Sequence, residues 1–435
     1  MQDILDYIEQ NLQAGLTAGD LAERAGYSHW HFCRQFAEAT GMPVGGYLLR
    51  RRIDRALEEI SRGSSGIDAA LAYGFDTYAG FYKAFVRMYG CTPKQFLALY
   101  GPHKSNLEAT IMKKFTEKQL RAILANWAIP QNLPIGDVLY VDGTKIAHDV
   151  WNIGGEYILR TAPREKLLNK LRIPRLLAGR GTPMALPVPT KTGAELLDDE
   201  DAFLLTKSLP GAPLPKSERF GEQREAFGEK YGQSIARLHR ALAEIEGDIL
   251  PDEPGLFAHV RDWALPSVQK QNIQWKMGLP ESLFEDYLRE FGALYDALPK
   301  QIIHRDPNPC NILFDGGEVS GFIDFDLSER GPRLWDPCYC ATGILSEWRG
   351  VANGVEHAIA KWPAILRGIL RGYDSVNPLT PEEKRAVYGV LCSIQMICVS
   401  YFAGIDDPHY QALAKTNREM LRYIAGLEGE IKGLL

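Results

Sequence analysis

The chain has 435 residues, of which 45% are hydrophobic and 24% charged, a composition that is ordinary for a soluble protein of two or three domains. No apolar run approaches the length of a membrane span, the first residues do not resemble a signal peptide, and the seven cysteines are scattered, so we expect a cytoplasmic protein with reduced thiols and no membrane partner. The formal net charge of −6 means that net charge alone does not indicate nucleic-acid binding.

An internal repeat lies within residues 1–100, with its two copies centred on Gly26 and Gly74. Each copy has a short amphipathic helix, a turn at a glycine followed by an aromatic residue, and a second amphipathic helix. The glycine allows the left-handed backbone that such a turn requires. The pattern predicts two helix-turn-helix motifs, in each of which the second helix enters a DNA major groove.

A helix between the two copies carries four arginines, Arg50, Arg51, Arg52 and Arg55, on its charged face. Apolar residues at positions 48, 49, 53 and 57 form the opposite face. Arginines on one helix face are suited to phosphate contacts, and we take Arg50 and Arg51 as DNA-binding candidates. The alternative for each arginine is a solvated helix face.

Residues 3–99 closely resemble the DNA-binding domain of AraC/XylS-type transcription regulators, most diagnostically in the second copy, which reads Ala-Tyr-Gly-Phe-Asp at 72–76 and Gly-Cys-Thr-Pro at 90–93. The resemblance implies an all-α domain at 1–100 that binds double-stranded DNA through two recognition helices. It implies that the exposed positions of these helices are His29, Trp30, His31, Arg34 and Gln35 in the first, and Thr77, Tyr78, Gly80, Tyr82, Lys83 and Arg87 in the second. Packing against a neighbouring helix remains the alternative for Trp30 and Tyr78.

A polar linker is predicted at 101–114, and a helix with a Thr-x-x-Gln capping box begins at Thr116. Strands are predicted at 138–141, 145–153 and 157–160, joined by turns at Asp142-Gly143 and Gly154-Gly155. These elements look like the start of a kinase N-lobe sheet. Residues 203–211 resemble the interlobe hinge, where backbone groups would meet adenine.

The most informative stretch is His304-Arg-Asp306-Pro-Asn-Pro-Cys-Asn311, followed thirteen residues later by Asp324 at the end of a short apolar strand. Phosphoryl transfer needs positioning and charge neutralisation, which a carboxylate base and oxygen ligands for Mg²⁺ provide. The spacing therefore predicts Asp306 as the general base and Asn311 and Asp324 as metal ligands. The alternative is a polar hairpin with capping Asp and Asn residues.

Residues 130–345, and more loosely the rest of the chain, resemble the aminoglycoside phosphotransferase/choline kinase superfamily. The matching motifs are 155–160, 209–211, 236–239, the His304-x-Asp306-x4-Asn311 loop, Ile323-Asp324-Phe-Asp326 and Trp335-Asp336. The resemblance implies an α+β two-lobed protein-kinase-like domain, with the N-lobe at 115–210 and a mostly helical C-lobe at 211–435. The cofactors it implies are ATP (or GTP) and Mg²⁺.

Residue roles also follow from this resemblance. Asp306 would be the base with His304 orienting its loop, and Asn311 and Asp324 would bind the metal. Arg160 would take the place of the phosphate-binding strand lysine, with Glu165 as its ion-pair partner. The remaining roles are cofactor binding at the hinge for Thr206 and Lys207, and a structural carboxylate for Asp336. The sequence departs from the family at Arg305, where glycine is usual, at Pro307 and Pro309, and around 142–149, where no glycine-rich loop is present.

The whole chain is thus predicted to be multi-domain, a double helix-turn-helix domain followed by a kinase-like domain. We expect a sequence-specific transcription regulator whose second domain transfers the γ-phosphate of ATP to a small-molecule hydroxyl or senses such a ligand. The alternatives are a phosphotransferase with an accessory DNA-binding module and a catalytically silent pseudokinase sensor. The retained Asp306, Asn311 and Asp324 argue against the last.

The acidic surplus of the C-terminal part favours a cationic or amine-bearing substrate, such as an aminoglycoside or an amino alcohol, although a neutral sugar also fits. Candidate substrate contacts in the helical tail are Glu347, Trp348, Asp406 and Asp407.

Overall fold

The computed structural model describes residues 1–40, 43–75, 77–89, 93, 115–138, 149–198, 202–249, 255–348, 358–404 and 408–434. The chain divides into two compact units. The first comprises Met1–Phe115 with Ser400–Ala414, and the second comprises Thr116–Val399 with Lys415–Leu435. The predicted linker at 101–114, the turn at Asp142-Gly143, and Asp406 and Asp407 lie outside the described residues.

The N-terminal part of the first unit is helical. Its helices are α1 Gln2–Gln10, α2 Ala18–Arg24, α3 His29–Thr40, α4 Val44–Ser61, α5 Gly66–Ala72 and α6 Tyr78–Tyr89. The two predicted turns have the left-handed backbone that was expected, with φ of +70° at Gly26 and +78° at Gly74. The repeat therefore folds as two helix-turn-helix motifs, α2–α3 and α5–α6, connected by α4.

Each motif buries two phenylalanines from its second helix. Phe32 and Phe36 in α3, and Phe81 and Phe85 in α6, are each 0% exposed. Burying one such side chain contributes roughly 2 kcal/mol of hydrophobic stabilisation, so this i, i+4 pair fixes which face of each second helix points inward. The exposed residues of these helices include Arg34 of α3 and Lys83 of α6.

The second unit begins with α7, Glu117–Leu124, whose predicted capping box is present between Thr116 and Gln119. An antiparallel sheet follows, with strand order β1-β2-β3-β5-β4. Its strands are β1 Ile135–Asp137, β2 Val150–Ile153, β3 Tyr157–Ala162, β4 Leu197–Asp198 and β5 Ala202–Lys207, and helix α8 Arg164–Ala178 follows β3. The strand predicted at 138–141 lies outside the described residues except for its first residue, and β1 ends just before it.

The rest of the second unit is mostly helical, as predicted. Its elements are β6 Ala212–Pro213, α9 Lys216–Arg219, α10 Arg224–Ile245, α11 Leu256–His259, α12 Leu265–Gln274, α13 Glu281–Asp286, α14 Gly292–Tyr295, β7 Lys300–Ile303, β8 Ile312–Asp315, β9 Glu318–Phe322, β10 Glu329–Pro332, α15 Trp335–Ser346, α16 Trp362–Val376, α17 Pro381–Ala403, α18 Pro408–Gly426 and α19 Glu428–Lys432. Short 3₁₀ and π segments connect several of them.

Helices α10 and α16 pack backbone to backbone through glycines. A Cβ atom at Gly232 would lie 1.9 Å from the Ile369 carbonyl oxygen, and one at Gly372 would lie 2.1 Å from the Glu229 carbonyl oxygen. No other residue fits these positions, so the glycines set the helix separation. This packing supports the core on which the loop between β7 and β8 rests.

Helix α17 is long and apolar enough to cross a membrane by length and composition alone. Its most apolar window, however, is 67% buried inside the protein, as expected for the core helix of a globular domain. It is the one such helix found in the described part of the chain.

Candidate functional site

The loop between β7 and β8 brings Asp306 and Asn311 together. The Asn311 Nδ2 donates to the Asp306 carbonyl oxygen at 2.9 Å and to Asp306 Oδ2 at 3.1 Å. The other carboxylate oxygen, Oδ1, accepts from Asn308 Nδ2 at 3.0 Å. Because its amide nitrogen is engaged with Asp306, Asn311 has Oδ1 to offer as a ligand atom.

His304 connects this loop to the segment that carries Asp324. Its Nε2 donates to the Ile323 carbonyl oxygen at 3.0 Å, and its Nδ1 accepts from the Asp306 backbone N–H at 3.4 Å. Burial lowers the pKa of His304, so the imidazole is neutral and carries its proton on Nε2. One side chain thereby holds the backbone at Asp306 and the backbone immediately before Asp324.

Asp324 follows β9 and has a φ of +68°, a left-handed conformation that is uncommon outside glycine. The neighbouring Ile323 N–H donates to the Asn311 carbonyl oxygen at 3.0 Å, which places Asp324 beside the loop. Burial raises the pKa of Asp306, and the negative charge of Asp324 acts in the same direction. The three side chains predicted from the sequence thus lie in one region of the second unit.

Asp336, 0% exposed, anchors the loop from the first turn of α15. Its Oδ2 accepts from the His304 N–H at 2.8 Å and lies 2.7 Å from His239 Nε2, while its Oδ1 accepts from the Arg305 N–H at 2.9 Å. A buried carboxylate needs several such donors to offset its desolvation. Asp336 therefore fixes the backbone immediately before Asp306.

The oxygen donors of this region suit a hard divalent cation. Asn311 and Asp324 supply an amide and a carboxylate oxygen, which are the ligand types that Mg²⁺ prefers. No cluster of three or more His, Cys, Asp or Glu side chains able to hold a metal occurs among the described residues. Mg²⁺ typically takes one or two protein ligands and completes its shell with phosphate oxygens and water, so these two residues fit it.

The predicted ion pair between Arg160 and Glu165 is wrong. Arg160 lies on β3, in register with Val150 and Leu204, whereas Glu165 is exposed in the first turn of α8. Among the residues that the structure describes, no salt bridge joins them. Helix α8 makes other charged contacts, from Arg164 to Asp198 and from Lys170 to Asp326.

The predicted hinge residues lie at the end of β5. Thr206 is buried and Lys207 is exposed. The chain then passes Gly211, which has a φ of +92° and where a Cβ atom would lie 2.2 Å from the Phe314 carbonyl oxygen. Only glycine permits this approach of the segment after β5 to β8.

In the first unit, the predicted DNA-reading residues differ in exposure. His29, Arg34, Tyr82 and Lys83 are exposed, whereas His31, Gln35, Arg50 and Tyr78 are half-buried. Trp30 and Arg87 lie on α3 and α6, but their side chains are outside the described part. Tyr78 packs on Gly66, since a Cβ atom at Gly66 would lie 2.5 Å from the Tyr78 ring.

Arg51, predicted to contact DNA, is buried in the first unit. Its side chain is buried, with Nε 2.5 Å from Glu9 Oε1 and Nη1 3.3 Å from Asp54 Oδ2. A guanidinium held in this way joins α4 to α1 and is not available to a DNA phosphate. The helical pattern predicted Arg51 on the charged face, whereas the structure buries it on the same side of α4 as Tyr47 and Leu48, with Glu9 of α1 as its partner.

Glu347, a candidate substrate contact, also has a structural partner. Its Oε2 lies 2.5 Å from Nη2 of Arg219, and the Arg219 side chain is fully buried. A carboxylate engaged with a buried cation is not available to an amine ligand. Trp348 is 9% exposed and packs in the core.

Family models match both parts of the chain. A helix-turn-helix domain model matches residues 21–98, and a phosphotransferase enzyme family model matches residues 144–379. The chain belongs to the phosphotransferase enzyme family. Its N-terminal segment is 39% identical over 97 residues to the HTH-type transcriptional activator AarP of Providencia stuartii, an alignment covering 22% of this chain and 72% of AarP.

The second unit has its own relatives. A homoserine kinase of Neisseria meningitidis serogroup B is 28% identical over 239 residues, covering 53% of this chain and 70% of the kinase. A choline/ethanolamine kinase family protein from Mesorhizobium loti matches at 21% identity with a TM-score of 0.45, covering 72% of this chain and 99% of that protein. The amicoumacin kinase hAmiN, solved with AMP-PNP and Ca²⁺, matches at 14% with a TM-score of 0.47, covering 71% and 94%.

The protein therefore combines an AraC-type DNA-binding helix-turn-helix regulator domain with a kinase-like phosphotransferase domain. The predicted fold class, a double helix-turn-helix domain followed by a two-lobed kinase-like domain, is confirmed.

Proposed function

We propose that this protein is a sequence-specific transcription regulator whose second domain transfers the γ-phosphate of ATP to the hydroxyl of a small molecule. The observation that carries the proposal is the contact between Asp306 and Asn311 beside Asp324. A base, an amide oxygen and a second carboxylate are the groups that this chemistry requires. A structural hairpin does not need all three.

In the proposed reaction, Asp306 accepts a hydrogen bond from the acceptor hydroxyl and then takes its proton. The hydroxyl oxygen bonds to the terminal phosphorus of ATP as the bond from that phosphorus to the ADP oxygen breaks. Burial raises the pKa of Asp306 and makes it a better proton acceptor, while Asn308 and Asn311 fix its orientation. When bound, Mg²⁺ would neutralise phosphate charge, held by Asn311 Oδ1 and the Asp324 carboxylate.

The acceptor that we propose is a small alcohol or amino alcohol. The relation to a homoserine kinase, at 28% identity over 53% of this chain, supports an amine-bearing primary alcohol as the first class to test. The acidic surplus of the chain acts in the same direction by attracting cations. ATP is the proposed phosphate donor, with GTP as the alternative.

A thermal-shift screen of the full chain with Mg·ATP, Mg·GTP and a panel of alcohols tests this proposal, because ligands stabilise the folded state that binds them. Compounds that shift the melting temperature are then assayed for transfer of radiolabelled γ-phosphate. Asp306→Asn should lower kcat by at least about 100-fold, since general-base catalysis contributes about that much. Its affinity for the nucleotide should change little. Full activity in this variant would refute the assignment of the base.

One observation favours a second candidate, a sensor that binds ligand without turnover. Arg160 has no carboxylate partner on α8 within the described residues, so the phosphate-binding cation lacks the support that the family resemblance implied. Nucleotide-dependent stabilisation without transfer to any alcohol in the panel would select this candidate.

A further inference from the structure

Lys170, in the middle of α8, forms an ion pair with Asp326. Asp326 lies two residues after Asp324, on the segment between β9 and β10. The contact therefore joins the helix that packs on the N-lobe sheet to the segment that carries the proposed metal ligand. The two residues are 156 positions apart in the sequence, and no motif pointed to this pairing.

The segment around Asp324 is held from the C-lobe side by His304. The His304 ring lies 4.5 Å from the Phe325 ring, and the Ser328 hydroxyl donates to the His304 carbonyl oxygen at 3.4 Å. Lys170 approaches the same segment from α8. Asp324 thus lies on a short loop with supports from two different elements.

The charges of the two aspartates on this loop explain why a lysine lies beside one of them. Two carboxylates two residues apart repel each other, and an uncompensated Asp326 would compete with Asp324 for the same cation. A lysine on Asp326 neutralises that charge and leaves Asp324 as the carboxylate available to the metal. The family resemblance implied an ion pair between a carboxylate on α8 and a cation on β3. In the structure α8 supplies the cation, Lys170, and the loop after β9 supplies the carboxylate, Asp326.

Stability does not explain the pair. The side chains of Lys170 and Asp326 are 21% and 32% exposed. Ion pairs at such sites contribute roughly 0–1 kcal/mol to folding. Its contribution to folding is therefore small, whereas its position next to Asp324 is specific.

We propose that Lys170 is a positioning residue for the metal-binding loop, acting through Asp326 to hold Asp324 in place for a magnesium–nucleotide complex. The inference rests on the proposed function, because it requires that complex as a ligand. It adds a residue that neither the sequence motifs nor the family resemblance assigned.

The test is the affinity of the full chain for Mg·AMP-PNP, measured by isothermal titration calorimetry. Lys170→Ala should weaken binding about five- to ten-fold, equivalent to roughly 1 kcal/mol. Lys170→Arg, which keeps the charge, should stay within about two-fold of wild type. Lys166→Ala is the matched control and should bind like wild type, because Lys166 is exposed on the same helix and no hydrogen bond or ion pair joins it to the loop within the described residues.

A double-mutant cycle shows whether Lys170 acts through Asp326. In the Asp326→Asn background, Lys170→Ala should have no further effect, because residues in one contact are not additive. Wild-type affinity in Lys170→Ala, tighter binding in that variant, or additive losses in the double variant would each overturn the inference while leaving the proposed function intact. A wild-type chain that does not bind Mg·AMP-PNP would overturn both.

Discussion

The Arg305 guanidinium lies over the face of the Trp335 ring, 3.7 Å from its centre. Arg305 Nε is 2.5 Å from Glu329 Oε1, and the Trp335 indole N–H donates to the Arg305 carbonyl oxygen at 3.0 Å. These contacts explain how an arginine occupies a position where the family usually has glycine. Arg305 has a φ of +74°, a conformation that costs a non-glycine residue roughly 1 kcal/mol.

Substitution of Arg305 should separate the backbone strain from the side-chain contacts. Arg305→Ala keeps the strained φ but loses the ring contact and the ion pair, and should lower the free energy of unfolding by about 1–2 kcal/mol. Arg305→Gly loses the same contacts but also relieves the strain, so it should stay within about 1 kcal/mol of wild type. Urea unfolding of the full chain, following the transition of the second unit, measures both values. An alanine variant more stable than the glycine variant would contradict this account.

His259 should make the second unit sensitive to acid. Burial lowers the pKa of His259 to about 4, and the positive charge of Arg305 acts in the same direction. At pH values above the ordinary histidine pKa of 6.5, His259 is neutral in both the folded and the unfolded state. In that range it contributes nothing to the pH dependence of the free energy of unfolding. As the pH falls from 6.5 to 4, only the unfolded state takes up the proton, so the free energy of unfolding decreases.

His259→Gln removes this titration. As the pH falls from 7 to 4.5, the free energy of unfolding of this variant should rise by about 2 kcal/mol relative to that of wild type. This is less than the full pKa difference would give, because the His259 side chain is only half-buried and solvent screens its charge. Urea unfolding at a series of pH values measures the difference. His29→Gln, on the exposed face of α3, is the control and should follow the wild-type pH profile of the second unit. Parallel curves for wild type and His259→Gln would contradict the prediction.

The DNA-binding unit offers a contrast between two arginines. Arg34 is exposed on α3, so Arg34→Ala should weaken binding to a cognate site more than to random DNA, by roughly 1–3 kcal/mol if it contacts a base edge. Arg51 is buried against Glu9, so Arg51→Ala should instead lower the melting temperature of this unit. Fluorescence anisotropy with both DNAs and thermal denaturation give the two readouts. Equal losses on both DNAs for Arg34→Ala would make it a phosphate contact.

The sequence was most informative where the chemistry is local. His304, Asp306 and Asn311 lie within eight residues, so their spacing alone indicated that the loop places them together. Glu165 was assigned a role from the family resemblance. Which residue of α8 reaches the metal-binding loop depends, however, on how the helix packs. In the structure that residue is Lys170, which forms an ion pair with Asp326. Contacts between segments far apart in the chain have no local signature, and this also explains the misassignment of Arg51.

The DNA-binding and phosphotransferase domains belong to one chain, so coupling between their binding sites is testable. If binding at the phosphotransferase domain and DNA binding are coupled, Mg·ATP with an acceptor should change operator affinity by a factor of about 5 or more, and operator DNA should change nucleotide affinity by the same factor. Anisotropy titrations with and without these ligands measure the coupling. Asp306→Asn distinguishes its origin: a shift that persists in this variant comes from ligand binding, whereas a shift that disappears requires phosphoryl transfer. An operator affinity that does not change with any ligand of the panel would show that the two domains act as independent modules.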